Sequence, residues 1–222
     1  MKVRIINFTS ISGVLLLMLF IQVLLGCKAS NASKGAAIGA GSGAVIGGVI
    51  GKQAGNTALG AIIGASVGGT TGVLIGKHMD KQAEELRADL KGATVERVGE
   101  GIKITFDSGL MFDFDSYTLR AGTKENLTGL ANTLNKYDDT NVLIEGHTDK
   151  TGTDEYNLKL SQQRGEAVQD FLVQNNVKRA RITTTGYGEQ QNISDVDQEN
   201  RRVEVAIYAN KKMKKAAEKG QL

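Results

Sequence analysis

Apolar and polar positions follow three different rhythms along this chain. From Ile11 to Leu25 the residues are almost wholly apolar, after a start that carries Lys2 and Arg4. From Gly35 to Lys77 glycine returns at every fourth position among Ala, Ile, Val and Leu. From about Ala93 the periodicities are those of an ordinary globular domain. Thr94–Val98 and Ile102–Phe106 alternate around Gly99-Glu100-Gly101, which predicts a hairpin. Val142–Glu145, Ile182–Tyr187 and Val203–Tyr208 are further predicted strands. A helix is predicted from Ala121 to Tyr137, with Leu127, Leu130, Ala131 and Leu134 inward. Another is predicted from Asp154 to Asn175, with Leu160, Val168, Phe171 and Leu172 inward. The fold class is α+β, in the order β-α-β-α-β-β, with one mixed sheet and helices on one face.

The glycine-rich segment is a repeat. Gly35–Lys52 matches Gly60–Lys77, and glycine falls at Gly35, Gly39, Gly43, Gly47 and Gly51, then at Gly60, Gly64, Gly68, Gly72 and Gly76. Residues four apart share one helix face, and a face without side chains lets a second helix approach closely. Glycine costs about 1 kcal/mol per helical site, so such helices need a packing partner or a bilayer. The expected arrangement over 35–77 is a glycine-zipper hairpin that turns at Lys52–Thr57, and a homo-oligomer through this segment is a further expectation. A flexible spacer is the alternative reading. Phosphate loops are excluded, because Gln53 and His78 stand where Ser or Thr would bind magnesium. Met79, Ala83, Leu86 and Leu90 then mark the apolar stripe of a charged linker helix, assigned to 78–92.

The first segment reads as an address. A basic start, an apolar run of 15 residues and Leu24-Leu25-Gly26-Cys27 fit a secretory signal over residues 1–26. The run is short for a membrane span of about 20 residues. Leu24–Cys27 resembles the lipobox of bacterial lipoproteins, although Leu25 is larger than is usual there. Cys27 is therefore the expected lipidation site, residues 27–34 a tether, and Lys28 favours the outer membrane. Several acyl chains, at about 0.8 kcal/mol per buried methylene, make a stable anchor.

Composition narrows the chemistry. Cys27 is the single cysteine, so no internal disulfide can form. The two histidines, His78 and His147, lie far apart in sequence, and neither a metal nor a cofactor is expected. Loss of Lys2 and Arg4 with the signal takes the net charge from +3 to +1, which lacks the bias of a nucleic-acid binder. Arg201 and Arg202 are neighbours in a strand and so point to opposite faces.

The polar motifs cluster in the C-terminal domain, assigned to 93–210 ahead of a basic, frayed tail at 211–222. Gly146-His147-Thr148-Asp149 ends a strand, Gly152 can turn the chain, and Thr153 can cap the following helix. On that helix Asn157, Leu160 or Ser161, and Arg164 share a face. A carboxylate and a guanidinium flanking one pocket suit a zwitterion, with an ammonium at Asp149 and a carboxylate at Arg164. Taken alone, the two residues read more readily as a structural ion pair. His147 reads as structural, since no nucleophile elbow or zinc signature accompanies it.

GHTD, Gly152-Thr153, Tyr156-Asn157, Leu160-Ser161 and Arg164 together resemble the OmpA-like peptidoglycan-binding family. Phe112-Asp113-Phe114-Asp115-Ser116 resembles its first loop, and Gly186-Tyr187-Gly188-Glu189 with Asn200-Arg201-Arg202-Val203-Glu204 its last motifs. With the lipobox and glycine zipper, the chain resembles outer-membrane lipoproteins of the YiaD type. Gly165, where alanine is usual, and Gln191, where proline is frequent, depart from the pattern. The resemblance implies a non-enzymatic protein that binds the diaminopimelate of the peptidoglycan stem peptide. It also implies that Phe112, Asp113, Thr148, Asn157, Leu160 and Arg201 line the pocket with Asp149 and Arg164. The expected function is an outer-membrane tether, lipid-anchored with its C-terminal domain in the periplasm. The competing readings are a membrane-inserting or pore-like glycine-zipper oligomer and a wall hydrolase.

Overall fold

The computed structural model describes residues 57–222. In chain order the elements are α1 (Thr57–Ala65), α2 (Gly69–Asp89), β1 (Ala93–Val98), β2 (Gly101–Asp107), α3 (Ser108–Met111) and α4 (Ala121–Lys136). There follow β3 (Thr140–Gly146), α5 (Asp154–Gln174), β4 (Ile182–Gly186), α6 (Asp197–Asn200), β5 (Arg202–Ala209) and α7 (Lys211–Glu218). The signal segment, Cys27, the tether and the first glycine copy lie outside the described residues.

Five strands form one sheet in the order β1-β2-β5-β3-β4. β3 and β4 are parallel and the other neighbours antiparallel. The expected mixed sheet is present, with β1 added at one edge by the Gly99-Glu100 hairpin turn. β5 sits centrally and is buried along its whole length. Its residues alternate between the two faces, Val203, Val205 and Ile207 on one and Arg202, Glu204, Ala206 and Tyr208 on the other. The first set joins Val142, Ile144, Ile102 and Ile104 in an apolar core with α2, α4 and α5, through Leu86, Leu127, Leu130, Val168 and Leu172.

The second glycine copy departs from the expected hairpin arm. It is divided at Ser66-Val67-Gly68 into α1 and α2, so the linker helix begins inside the repeat, at Gly69. Gly68 and Gly69 have φ of 74° and 62°, a region that L side chains rarely occupy. The β1–β2 turn supplies the reason for the break. The Glu100 carboxylate accepts hydrogen bonds from the backbone amides of Val67 at 2.8 Å and Gly68 at 2.7 Å. A negative charge at the start of α2 complements the unpaired amides and dipole of that helix. Gly72 makes room for it, since a Cβ there would lie 2.2 Å from a Glu100 oxygen.

α1 lies on the sheet face opposite the main core. Ala58, Ala61, Ile62 and Ala65 pack on Leu143, Ala206 and Tyr208. The stripe of α2 behaves as its spacing predicts, with Met79, Ala83 and Leu86 fully buried. Among the described residues no helix is long and apolar enough to cross a membrane.

The tail corrects the expectation of a frayed end. Asn210 caps α7 by accepting from the amides of Lys212 and Met213, and Met213 and Ala217 enter the core. Those apolar residues are four apart and so lie on one face of the helix. The lysines between and around them hid that pair from the sequence reading.

Candidate binding cleft

The cleft forms where β3 ends against the start of α5. β3 passes so close to α5 that a Cβ at Gly146 would lie 2.0 Å from the Ser161 carbonyl oxygen. Past Gly146 the chain carries His147, Thr148 and Asp149 inward, all buried. Thr153 caps α5 by accepting from the Tyr156 amide at 3.3 Å. The helix then aims Asn157, Leu160 and Arg164 the same way, at spacings of three and seven. The last motif fastens this loop. Gly188 accepts from the Thr148 amide at 2.9 Å and donates to the Ser161 hydroxyl at 2.8 Å, while Glu189 accepts from Asn157 at 2.8 Å.

All eight residues expected at the pocket line one cleft of about 610 Å³: Phe112, Asp113, Thr148, Asp149, Asn157, Leu160, Arg164 and Arg201. Asp149 and Arg164 lie in its floor, at 5% and 6% exposure, and no salt bridge joins them to each other among the described residues. Arg164 donates from Nε to the Ser116 carbonyl at 3.0 Å, and its guanidinium lies over the Phe112 ring, 5.2 Å from the centroid. Its remaining N–H groups have no protein partner among the described residues, so the planar fork is held but not used up.

Asp149 is partnered differently. One oxygen accepts from the Thr151 amide at 2.8 Å and the other from Arg201 Nη1. Sequence reasoning placed Arg201 in the lining but missed this pairing, which joins residues 52 apart in the chain. Burial pushes the Asp149 carboxyl upward, yet the Thr151 amide, the Arg201 guanidinium and the Thr151 hydroxyl outweigh it and hold it below the usual range. Burial lowers the Arg164 guanidinium, against the opposing influence of Tyr156 and Asp115. Both groups are charged at neutral pH.

The lining contains Arg120, Arg164 and Arg201 against Asp113, Asp115 and Asp149. That balance suits a ligand bearing both charges better than a plain anion or cation. Asp113 is exposed and paired with Arg120 at 2.9 Å, which fixes the first loop. Asp115, read from the sequence as a first-loop residue, lines the cleft as well, and Phe114 and Tyr156 do so without having been expected there. Their position in the first loop and at the start of α5 was the available signal.

His147 does not line the cleft. It is buried beneath it, stacks on Tyr187 at 5.6 Å, and donates its backbone amide to the Arg202 carbonyl. Burial, then Arg202 and Lys103, hold the imidazole well below its ordinary range, so it is neutral. His147, Glu145 and Glu204 bring one ligand atom each within 4.8 Å of one another. Arg202 already neutralises Glu204 at 2.7 Å, and burial, reinforced by Glu204, pushes Glu145 up to about 8.

The two departures from the family pattern have structural uses. A Cβ at Gly165 would lie 2.6 Å from the Thr184 methyl, so glycine there brings α5 onto β4. Gln191 is buried and donates to the Thr57 hydroxyl at 2.7 Å, tying the last motif to α1.

The fold and its charge-balanced cleft define a binding module of the OmpA-like kind. The chain belongs to the OmpA family. The family model matches residues 111–206, and the model of the YMGG-like Gly-zipper matches residues 5–80. The chain is 36% identical over 137 residues to the Probable lipoprotein YiaD of Escherichia coli (strain K12), covering 59% of this chain and 63% of that one. It is 32% identical to the Peptidoglycan-associated lipoprotein of Mesorhizobium japonicum, covering 54% of this chain and 72% of that one. Among solved structures it is similar to the cell wall anchor of the T6SS from Pseudomonas aeruginosa, at 26% identity and a TM-score of 0.51, over 60% of this chain and 97% of that one. The chain spans less than two thirds of the YiaD lipoprotein and about a third of the outer membrane porins that it also resembles.

Proposed function

We propose that this protein is an outer-membrane lipoprotein that grips peptidoglycan without covalent chemistry, through the diaminopimelate of the stem peptide. Lipid on Cys27, after removal of residues 1–26, anchors one end. The C-terminal domain in the periplasm holds the wall at the other, and the glycine-repeat segment joins them and brings copies together. Wall and membrane attachment fit the names of the relatives, which include peptidoglycan-associated and outer-membrane proteins.

The observation that carries the ligand is the separation of Asp149 from Arg164 within one cleft. The D-centre of diaminopimelate bears an ammonium and a carboxylate on one carbon. Asp149 and its neighbours receive the ammonium, and the Arg164 fork takes the carboxylate bidentately. The Asn157 side chain positions the Asp149 loop through the Asp149 carbonyl at 3.2 Å. The Thr148 hydroxyl is buried and has no partner among the described residues. Arg201 shares Asp149 with the ligand and moderates its charge. Each grip is weak alone, and many copies on a polymeric wall add through effective concentration.

The test is co-sedimentation with purified peptidoglycan. Asp149→Ala and Arg164→Ala are each expected to abolish it while the circular dichroism spectrum stays native. Wild-type retention by both variants overturns the assignment. Free diaminopimelate should compete the intact protein off the wall.

A further inference from the structure

The first loop carries two phenylalanines that line the same cleft and live in opposite surroundings. Phe112 is 2% exposed and supports Arg164, whereas Phe114 is 101% exposed and has no packing partner among the described residues. A phenyl ring wholly in water forgoes the burial that its neighbour realises. Its position is held: Asp115, the next residue, has a φ of 53°, and its carboxylate accepts a hydrogen bond from the Tyr156 hydroxyl across the cleft. Tyr156 is 45% exposed and lines the same rim from α5. The lip therefore presents the Phe114 and Tyr156 rings together with the Asp113 and Asp115 carboxylates, each of which keeps one oxygen beyond its bond to Arg120 or Tyr156.

We propose that this lip is a saccharide subsite, on which a pyranose ring of the wall glycan stacks when its stem peptide occupies the charged floor. The inference rests on the function proposed above. A pyranose has one face of C–H bonds and a rim of hydroxyl and amide groups. The C–H face lies flat on an aromatic ring, and the rim donates to carboxylates. The lip offers both at once. An acyl chain or an apolar protein surface would instead strip water from Asp113 and Asp115 without repaying them. Continuity favours the same reading, because the peptide held below is covalently joined to the glycan a short distance away.

The test uses two soluble probes with the full chain, by calorimetry. One is the stem tripeptide ending in diaminopimelate, and the other is the same tripeptide on its amino-sugar disaccharide. The wild type is expected to bind the disaccharide form about ten-fold more tightly, which corresponds to ~1.4 kcal/mol. Phe114→Ala should remove that preference and hold the tripeptide within about two-fold, and Phe114→Trp should restore it. Equal wild-type affinity for the two probes overturns the saccharide subsite and leaves the peptide site standing. So does full preference in Phe114→Ala. Failure of the wild type to bind either probe overturns the peptide site and the subsite together.

Discussion

On one face of the sheet, Val142, Ile144, Val203, Val205 and Ile207 meet Leu86, Leu127, Leu130 and Val168 in one apolar cluster. On the other, Leu143, Ala206 and Tyr208 meet the small residues of α1, and beside them lie Glu145, His147, Arg202 and Glu204, all buried. Glu145 and Glu204 are directly opposed across β3 and β5, where two carboxylates would repel. Arg202 pairs with one, and protonation disposes of the charge on the other. The polar face depends on a guanidinium, a proton and a short cover helix, and it lies directly behind the motif that ends in Asp149.

The largest effect that separates the faces should come from Arg202→Leu. It strands Glu204 in the interior and is expected to cost about 3–5 kcal/mol in denaturant unfolding. Arg202→Leu with Glu204→Leu should recover most of that, because no buried charge is left unpaired. A double variant as unstable as the single one would make the pair a true stabiliser and the two faces more alike than argued.

The next effect is a pH slope. Glu145 has its folded value raised to about 8, so its contribution to stability is complete below its unfolded value and is lost as pH rises towards 8. His147, held neutral by burial and by Arg202 and Lys103, works oppositely, and its contribution is lost as pH falls below about 6.5. Between about pH 6.5 and 8 Glu145 acts against a steady background, and stability should fall by roughly 2 kcal/mol. Glu145→Gln should flatten that slope in thermal melts, and an unchanged slope would locate the proton elsewhere.

The smallest effect concerns the cover. Glu100→Gln removes the charge that holds the amides of Val67 and Gly68. It should cost about 0.5–1 kcal/mol. The amides of α1 should exchange faster while those of β5 stay protected. Uniform acceleration would mean that α1 and the core open as one unit.

Much of the architecture was legible because it depends on short-range periodicity. Val203–Tyr208 alternates, Leu127, Leu130, Ala131 and Leu134 share a helical face, and each appears where its spacing puts it. The cleft was legible for a related reason. Asp149, Asn157 and Arg164 sit on one strand end and the helix that follows, so local geometry alone brings them together. Phe112 and Arg201 come from remote segments, and the family motif, rather than spacing, placed them there.

What the chain alone determined, then, is the set of elements and the residues that its own local geometry gathers. Tertiary structure decided everything that needs a partner from far away. Glu100 splits the second glycine copy from 32 and 33 residues along the chain, and Gln191 ties α1 down from 134 residues away. Arg201 claims half of Asp149 in the same manner, and the core takes up Met213 and Ala217 from a tail that looks merely basic. A hydrophobic period or a capping residue acts within a few residues of itself. A buried charge or a helix end takes whichever partner the finished fold delivers, and no local pattern encodes that choice.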